Sequence, residues 1–486
     1  MGIRGLEQRL IGLARAVGAA APNVAGAGRC LVDGVACAYL GLHAPVVAAM
    51  RDAVSVPDGG STLWGSDRRA RAADAALVHA TAAHVFDIGD GFADAGLHPG
   101  EVVVPVVLAV AERCGSTGEE MIGALIGAYE IIGRLGRGLH PELTERGICP
   151  TGPVGAIGAA FAAGCLIGLD DPALVAALGT AALIAPLATF EWDDSRPLHA
   201  GMAAQAGIRA ADLADRGVGG GENWLTGPSG LAAIAGVDGR VLVDRCLADL
   251  APAVTRVYFK PYAACRHSHG AIRLAASLRA SVLGDDGRPP EVAALRVTTY
   301  PLAVRLVDRR TTPGDPWAAC DTSVQFAVAK AWLHGDCGPE AMGRHGRADR
   351  EAHRLGERVE VAADGRYGAR YPDERWTRLE VWLADGRHLE AAAPFRPGDP
   401  EDPITTDALV ARLVTWSAAA IGVTVAQAED VAARLLALPA GDPSVLFAAL
   451  GAAGRTGAPQ PDGIAAIARA VSCSPGTMPL ASEGST

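Results

Sequence analysis

The feature that most constrains this 486-residue chain is a change of hydrophobic period along its length. Up to about residue 255, apolar and small residues recur at three and four, as in "PVVLAVAERC", "GEEMIGALIGAYEIIGRLG" and "HAGMAAQAGIRAADLADRG". That is the spacing of a helix face. Near residue 290 the period falls to two: "AALRVTTYPLAVRLV" and "RVEVAAD" alternate like half-buried strands. "RLEVWLADGRHLEAAA" reads as a hairpin turning at Asp385-Gly386. Between these strands, "CDTSVQFAVAKAWLHG" reads as a helix and "MGRHGRADREAHRLGERVE" as an exposed charged segment. After the Pro-rich "PFRPGDPEDP" helices resume, and the tail beyond about Val471 reads as disordered. The pattern predicts a mainly α protein with an α+β insert. Residues 1–262 and 402–486 form a discontinuous helical domain, and residues 263–401 form an α+β lid.

Half of the residues are hydrophobic but only 5% are aromatic, so alanine, valine, leucine and glycine must do the packing. The net charge of -11 excludes a general nucleic-acid binder, which needs a basic face. It leaves an anionic substrate open, because a few local cations dominate a pocket. The ten cysteines contain no C-x-x-C pair and read as reduced thiols of a cytoplasmic protein. The N-terminus reads as an amphipathic helix rather than a signal peptide. Two uncharged runs, Gly147 to Leu169 and Pro172 to Phe190, have the length of a bilayer span. Their prolines, glycines and alanines, without flanking basic loops, point instead to buried helices and to no membrane partner. No Rossmann or Walker motif is present, and "GVGGGEN" reads as a flexible loop.

Four stretches carry chemistry. "FKPYAACRHSHGAI" puts Cys265, His267 and His269 at alternate positions, the spacing of a metal triplet on a strand. Ser268 there reads as a helix N-cap, which would end such a strand before its third ligand. His269 then opens the helix, beside the positive end of its dipole, as a neutral base. Lys260 and Arg266 supply charge for a carboxylate, and Cys265 reads as packing. "HVFDIGDGFADAGLHPG" brings His84, Asp87, Asp90, Asp94 and His98 into one turn, without the residue order of a calcium loop. "RGICPTGPVGAIG", with Cys149 and Thr151, and "DDSRPLHAGMAA", with Arg196 and His199, each open a helix.

These four stretches, in this order, resemble the MmgE/PrpD family of 2-methylcitrate dehydratases and cis-aconitate decarboxylases. The resemblance implies a helical domain with an α+β lid, a homodimer and no cofactor. It assigns polar active-site positions to Asp87, His98 and His269, and matches Lys260 to the lysine that opens the family's last motif. Cys149 stands where the family usually has His, and Arg196 where it usually has Lys. The aspartate-rich turn is altered by Gly89 and Gly91.

Removing a proton next to a carboxylate needs a neutral base, cations for the carboxylates and an acid for the leaving group. No cysteine cluster for an iron–sulfur centre exists. The expectation is therefore a metal-independent lyase, a dehydratase acting on a small di- or tricarboxylate. His269 is the base, His98 or Cys149 the proton donor, and Lys260 a further catalytic group. Asp87, Asp90, Thr151, Arg196, Arg266 and His267 hold the substrate. An epimerase using a His/Cys pair, a decarboxylase and an inactive binding homologue are the alternatives.

Overall fold

The computed structural model describes residues 5–20, 23–56, 60–187, 195–221, 223–343 and 346–452. The chain after Val471 lies outside them. The first half is a pack of helices, among them Val24–Gly41, Ala72–His84, Pro99–Cys114, Gly118–Leu139, Pro153–Leu166 and Leu198–Ala214. Small residues set how closely these helices approach. A Cβ on Gly207 would stand 2.3 Å from Ala159 Cβ and 2.7 Å from the Ala156 carbonyl oxygen, so Leu198–Ala214 lies directly against Pro153–Leu166. It also packs on Ala72–His84, while Thr406–Ile421, far along the chain, lies against Val24–Gly41. The two uncharged runs fold as the helices Pro153–Leu166 and Asp171–Ile184, and the first is almost wholly buried. Among the described residues no single helix is long and apolar enough to cross a membrane.

The later segment forms a four-stranded sheet in the order Val359–Ala363, Val292–Thr299, Thr377–Leu383, His388–Ala393. The first pair is parallel and the other two are antiparallel. Thr377–Leu383 and His388–Ala393 are the expected hairpin, with Gly386 at φ +91° in its turn. The helix His269–Ser281 packs on these two strands and on the helix Val324–His334. The chain is thus mainly α with a smaller α+β part.

Three local expectations change. "PLAVRLV" is the helix Pro301–Val307 rather than strand, because Pro301 sits at a first-turn position where its missing N–H costs nothing. The charged segment contains a helix, Arg350–Gly356, capped by the Asp349 carboxylate and burying Ala352, His353 and Leu355. The helical half also contains a two-residue ladder, Ser61–Thr62 with Arg69–Ala70.

Candidate active site

Each of the four motif stretches ends in a helix start, at Pro99, Pro153, Leu198 and His269. Loops leading into helices carry exposed N–H groups and variable side chains, so this is where a helical scaffold can concentrate polar chemistry. These stretches meet around a cavity of about 60 Å³ walled by His84, Asp87, His98, Cys149, Arg196 and Arg266. Tyr258, Cys265, His267 and His140 add to its polar side.

Asp87 is the hub. Its φ of 44° is the one left-handed value of a non-glycine residue among the described residues. Lys260, with no exposed surface, holds that conformation by donating from Nζ to the Asp87 carbonyl and to Oδ1, each at 2.6 Å. The Arg196 guanidinium lies 3.8 Å from Asp87 Oδ2 and 3.2 Å from Asp321 Oδ2. Burial pushes the Asp87 carboxyl up, but Lys260, Arg196 and His98 outweigh it and hold the group well below the usual carboxylate range. Lys260 lies behind the wall, spent on Asp87, rather than on the cavity surface.

His98 faces this carboxylate. Its Nδ1–H donates to the Asp90 carbonyl at 2.7 Å, which leaves Nε2 as the free nitrogen, 3.4 Å from Asp87 Oδ1. Burial, with Lys260 adding, brings its pKa down to about 4, so the ring is neutral near pH 7. Asp90 and Thr151 do not line the cavity. Asp90 accepts from Gly100 N–H at 2.8 Å and from the Tyr129 hydroxyl at 2.7 Å, tying the turn to the helix that follows. Thr151 Oγ1 accepts the His98 backbone N–H at 3.2 Å. Both hold His98 rather than a substrate.

Two further histidines stand beside it. His84 Nδ1 bonds to Glu101 Oε2, and its ring meets that of His199 edge to face at 4.6 Å. His199 Nδ1–H donates to the Arg196 carbonyl at 2.8 Å, so its Nε2 receives the Cys149 thiol at 3.8 Å. Burial raises the Cys149 pKa, so the thiol keeps its proton.

His269 is placed differently from expectation. Its Nε2–H donates to the Ala264 carbonyl at 3.0 Å, and its Nδ1 accepts from Arg266 at 2.8 Å. It has no exposed surface and is not on the cavity wall. Ser268 does not cap the helix: a 3₁₀ turn, Arg266–Ser268, runs straight into it, and Ser268 Oγ has no partner. Arg266 reaches the cavity while its other face bonds to Asp399 at 2.6 Å. His267 lies on the wall with Nδ1 at 2.6 Å from the Tyr300 hydroxyl. Cys265, expected as packing only, also borders the cavity.

Because His267 and His269 are spent on Tyr300, Ala264 and Arg266, the Cys265–His267–His269 triplet does not converge. Donor atoms of His84, Asp87 and Glu101 do come within 4.8 Å of one another. There the ammonium of Lys260 already neutralises Asp87, so an added cation would meet a like charge.

Sequence reasoning had His84 and His199 in view but gave them no role. One signal existed, since each lies one turn from a charged partner, His84 from Asp87 and His199 from Arg196. Glu101, His140 and Tyr258 reach the site only through tertiary packing, and nothing in local spacing marks them.

The MmgE/PrpD N-terminal domain model matches residues 19–239 and the MmgE/PrpD C-terminal domain model matches residues 262–438. Human cis-aconitate decarboxylase is 29% identical over 296 residues, 58% of this chain and 60% of that protein. The cis-aconitate decarboxylase-like protein oryM of Aspergillus oryzae is 30% identical over 201 residues, 38% of this chain and 41% of its own length. Mouse cis-aconitate decarboxylase is 29% identical over 221 residues, 42% of this chain and 44% of that protein. The matched segments therefore cover from about two-fifths to three-fifths of these relatives. With both domain models matched in order across most of its length, the chain belongs to the MmgE/PrpD family.

Proposed function

We propose that this protein is a cofactor-independent lyase that breaks a bond next to a carboxylate of a small tricarboxylate, by acid–base chemistry in the cavity around Asp87. Decarboxylation of cis-aconitate or a close analogue is the reading favoured over dehydration, because the relatives named above are cis-aconitate decarboxylases. The observation that carries the chemistry is His98. It is neutral, fixed by the Asp90 carbonyl, and has Nε2 beside an ionised carboxylate. Loss of CO2 leaves electron density on carbon that a proton must quench, and His98 Nε2–H delivers it. Asp87 stabilises the imidazolium form from which that proton leaves.

A histidine with a pKa near 4 is a poor proton carrier in the empty site. A tricarboxylate changes that, because its negative charges raise the ring's affinity for a proton as it binds. Arg196 and Arg266 offer the cationic surface that holds the carboxylates and bears the developing enolate charge. The two-base epimerase finds no support in Cys149, whose thiol is directed to His199 and stays protonated. A homodimer belongs to the proposal too, and light scattering on the purified protein tests it.

The deciding experiment incubates the protein with cis-aconitate, citrate and 2-methylcitrate while following CO2 release and alkene absorbance. CO2 from cis-aconitate is expected. Alkene formation from the hydroxy acids without CO2 would replace decarboxylation by dehydration. No turnover and no thermal stabilisation by any of the three would overturn the tricarboxylate reading.

A further inference from the structure

We infer that His84, held and charge-balanced by Glu101, is a second proton-carrying group of this cavity, and that Gly89 is present to make room for it. The inference rests on the acid–base reading above and names residues that reading did not use.

Both side chains are buried, and His84 is on the cavity wall. Glu101 Oε2 takes His84 Nδ1, while His84 Nε2 is buried without a hydrogen-bond partner. A buried imidazole nitrogen with nothing to bond to is costly unless a ligand completes it. The pair has the form of a carboxylate orienting a histidine: one nitrogen is fixed, the other is presented, and a charge waits for the imidazolium. In the forward step Nε2–H gives its proton to the substrate carbon or to a departing group while Nδ1 takes the proton of Glu101. The ring ends neutral, Glu101 is left as a carboxylate, and solvent restores its proton.

The room for Glu101 comes from the altered aspartate-rich turn. A Cβ on Gly89 would stand 2.5 Å from Glu101 Oε1 and 2.7 Å from its Cγ. Any other residue at position 89 displaces this carboxylate. Gly91 does the same for Tyr258, whose hydroxyl oxygen would lie 2.4 Å from an added Cβ. The turn's departures from the family pattern are thus the space that these two side chains fill. The pair also answers the change at Cys149, where a protonated thiol stands in place of an imidazole.

The charges facing the pair come from several elements. Arg196 and His199 lie on the Leu198–Ala214 side, Asp87, Asp90 and His98 on the turn, Asp33 on the helix Val24–Gly41, and Lys260 on the far loop. Burial, followed by His199 and Arg196, holds His84 well below its usual pKa, and burial brings Glu101 up to about 7. One proton is therefore shared across the pair near neutrality.

The test uses the full-length protein with cis-aconitate. Glu101→Gln keeps the shape and removes the charge, and is expected to lower kcat about 30-fold with KM within about threefold. It should also erase the ionisation near pH 7 from the kcat profile. Glu101→Asp should recover part of the rate. Gly89→Ala should copy Glu101→Gln, and the double variant should be no slower than either single one. Equal kcat profiles in wild type and Glu101→Gln would overturn the inference, as would a stoichiometric metal ion lost on His84→Asn. Wild-type protein inert toward cis-aconitate would instead count against the functional reading. The pair is then judged by ¹⁵N-histidine NMR of the resting protein: a His84 tautomer unmoved by Glu101→Gln would overturn it.

Discussion

His98 and His269 are both histidines of stretches that carry the family resemblance, and their surroundings separate them. His98 has one nitrogen on a backbone carbonyl and one in the cavity, whereas His269 has both nitrogens committed inside the protein. His98→Asn is expected to lower kcat by about 10² to 10⁴ while the melting temperature barely moves. His269→Gln should do the reverse, costing about 1–3 kcal/mol of stability by leaving Arg266 and the Ala264 carbonyl unpaired. Melting curves and kcat measured on both variants check the pair of outcomes, and a His269→Gln protein of normal stability without turnover would restore His269 as the base. Sequence reasoning located the right stretches because helix-start loops advertise themselves through proline, glycine and charge. It placed both His267 and His269 at the site, and only His267 reaches the wall, because the helix-start argument fixes a ring's electrostatics, not its direction. Which nitrogen finds a carbonyl depends on Ala264 and on Arg266 folding back, and neither follows from spacing.

At the scale of elements, the helices were legible from their period, and the small residues on their faces announced close packing. Gly207→Ala puts that packing to the test. The added methyl collides with Ala159 and with the Ala156 carbonyl of a neighbouring helix that is itself buried. Overpacking of this kind costs about 1–3 kcal/mol, which exceeds the gain of about 1 kcal/mol from replacing glycine in a helix. Chemical denaturation should show a lower midpoint with an unchanged slope; a more stable variant would mean that the two helices separate easily. The strands at Val292–Thr299 and Thr377–Leu383 were equally legible, since alternation survives wherever one face is buried. "PLAVRLV" was not, because seven residues satisfy a two-residue and a 3.6-residue period about equally well, and the helix-initiating proline decides between them.

At the scale of the whole molecule, the groups that make the site also set how the fold responds to pH. Burial brings His98, His140 and His199 down to about 4. Between about pH 4 and 6.5 the unfolded chain binds protons that these rings refuse, so their share of stability rises with pH. Buried carboxyls act in the opposite sense. Asp90 and Glu101 are brought up to about 7, and Asp33, in the helix Val24–Gly41, up to about 8. From about pH 4 upward the unfolded chain releases protons that these groups retain, so their contribution falls until their own folded pKa is passed. The two sets offset one another below about pH 6.5, and above it only the carboxyls act. Stability should therefore stay nearly level up to about pH 6.5 and decline toward pH 8. Asp33 tests the effect away from the site, because one of its oxygens has no partner and it is not on the cavity wall. Asp33→Asn keeps the shape and removes the titration. The variant should gain on the order of 1–3 kcal/mol over wild type at pH 8 and almost nothing at pH 4.5. Denaturation curves across that range decide the matter: parallel profiles for the two proteins would mean that Asp33 is ionised in the fold, stabilised by Arg412 against the burial that opposes its charge.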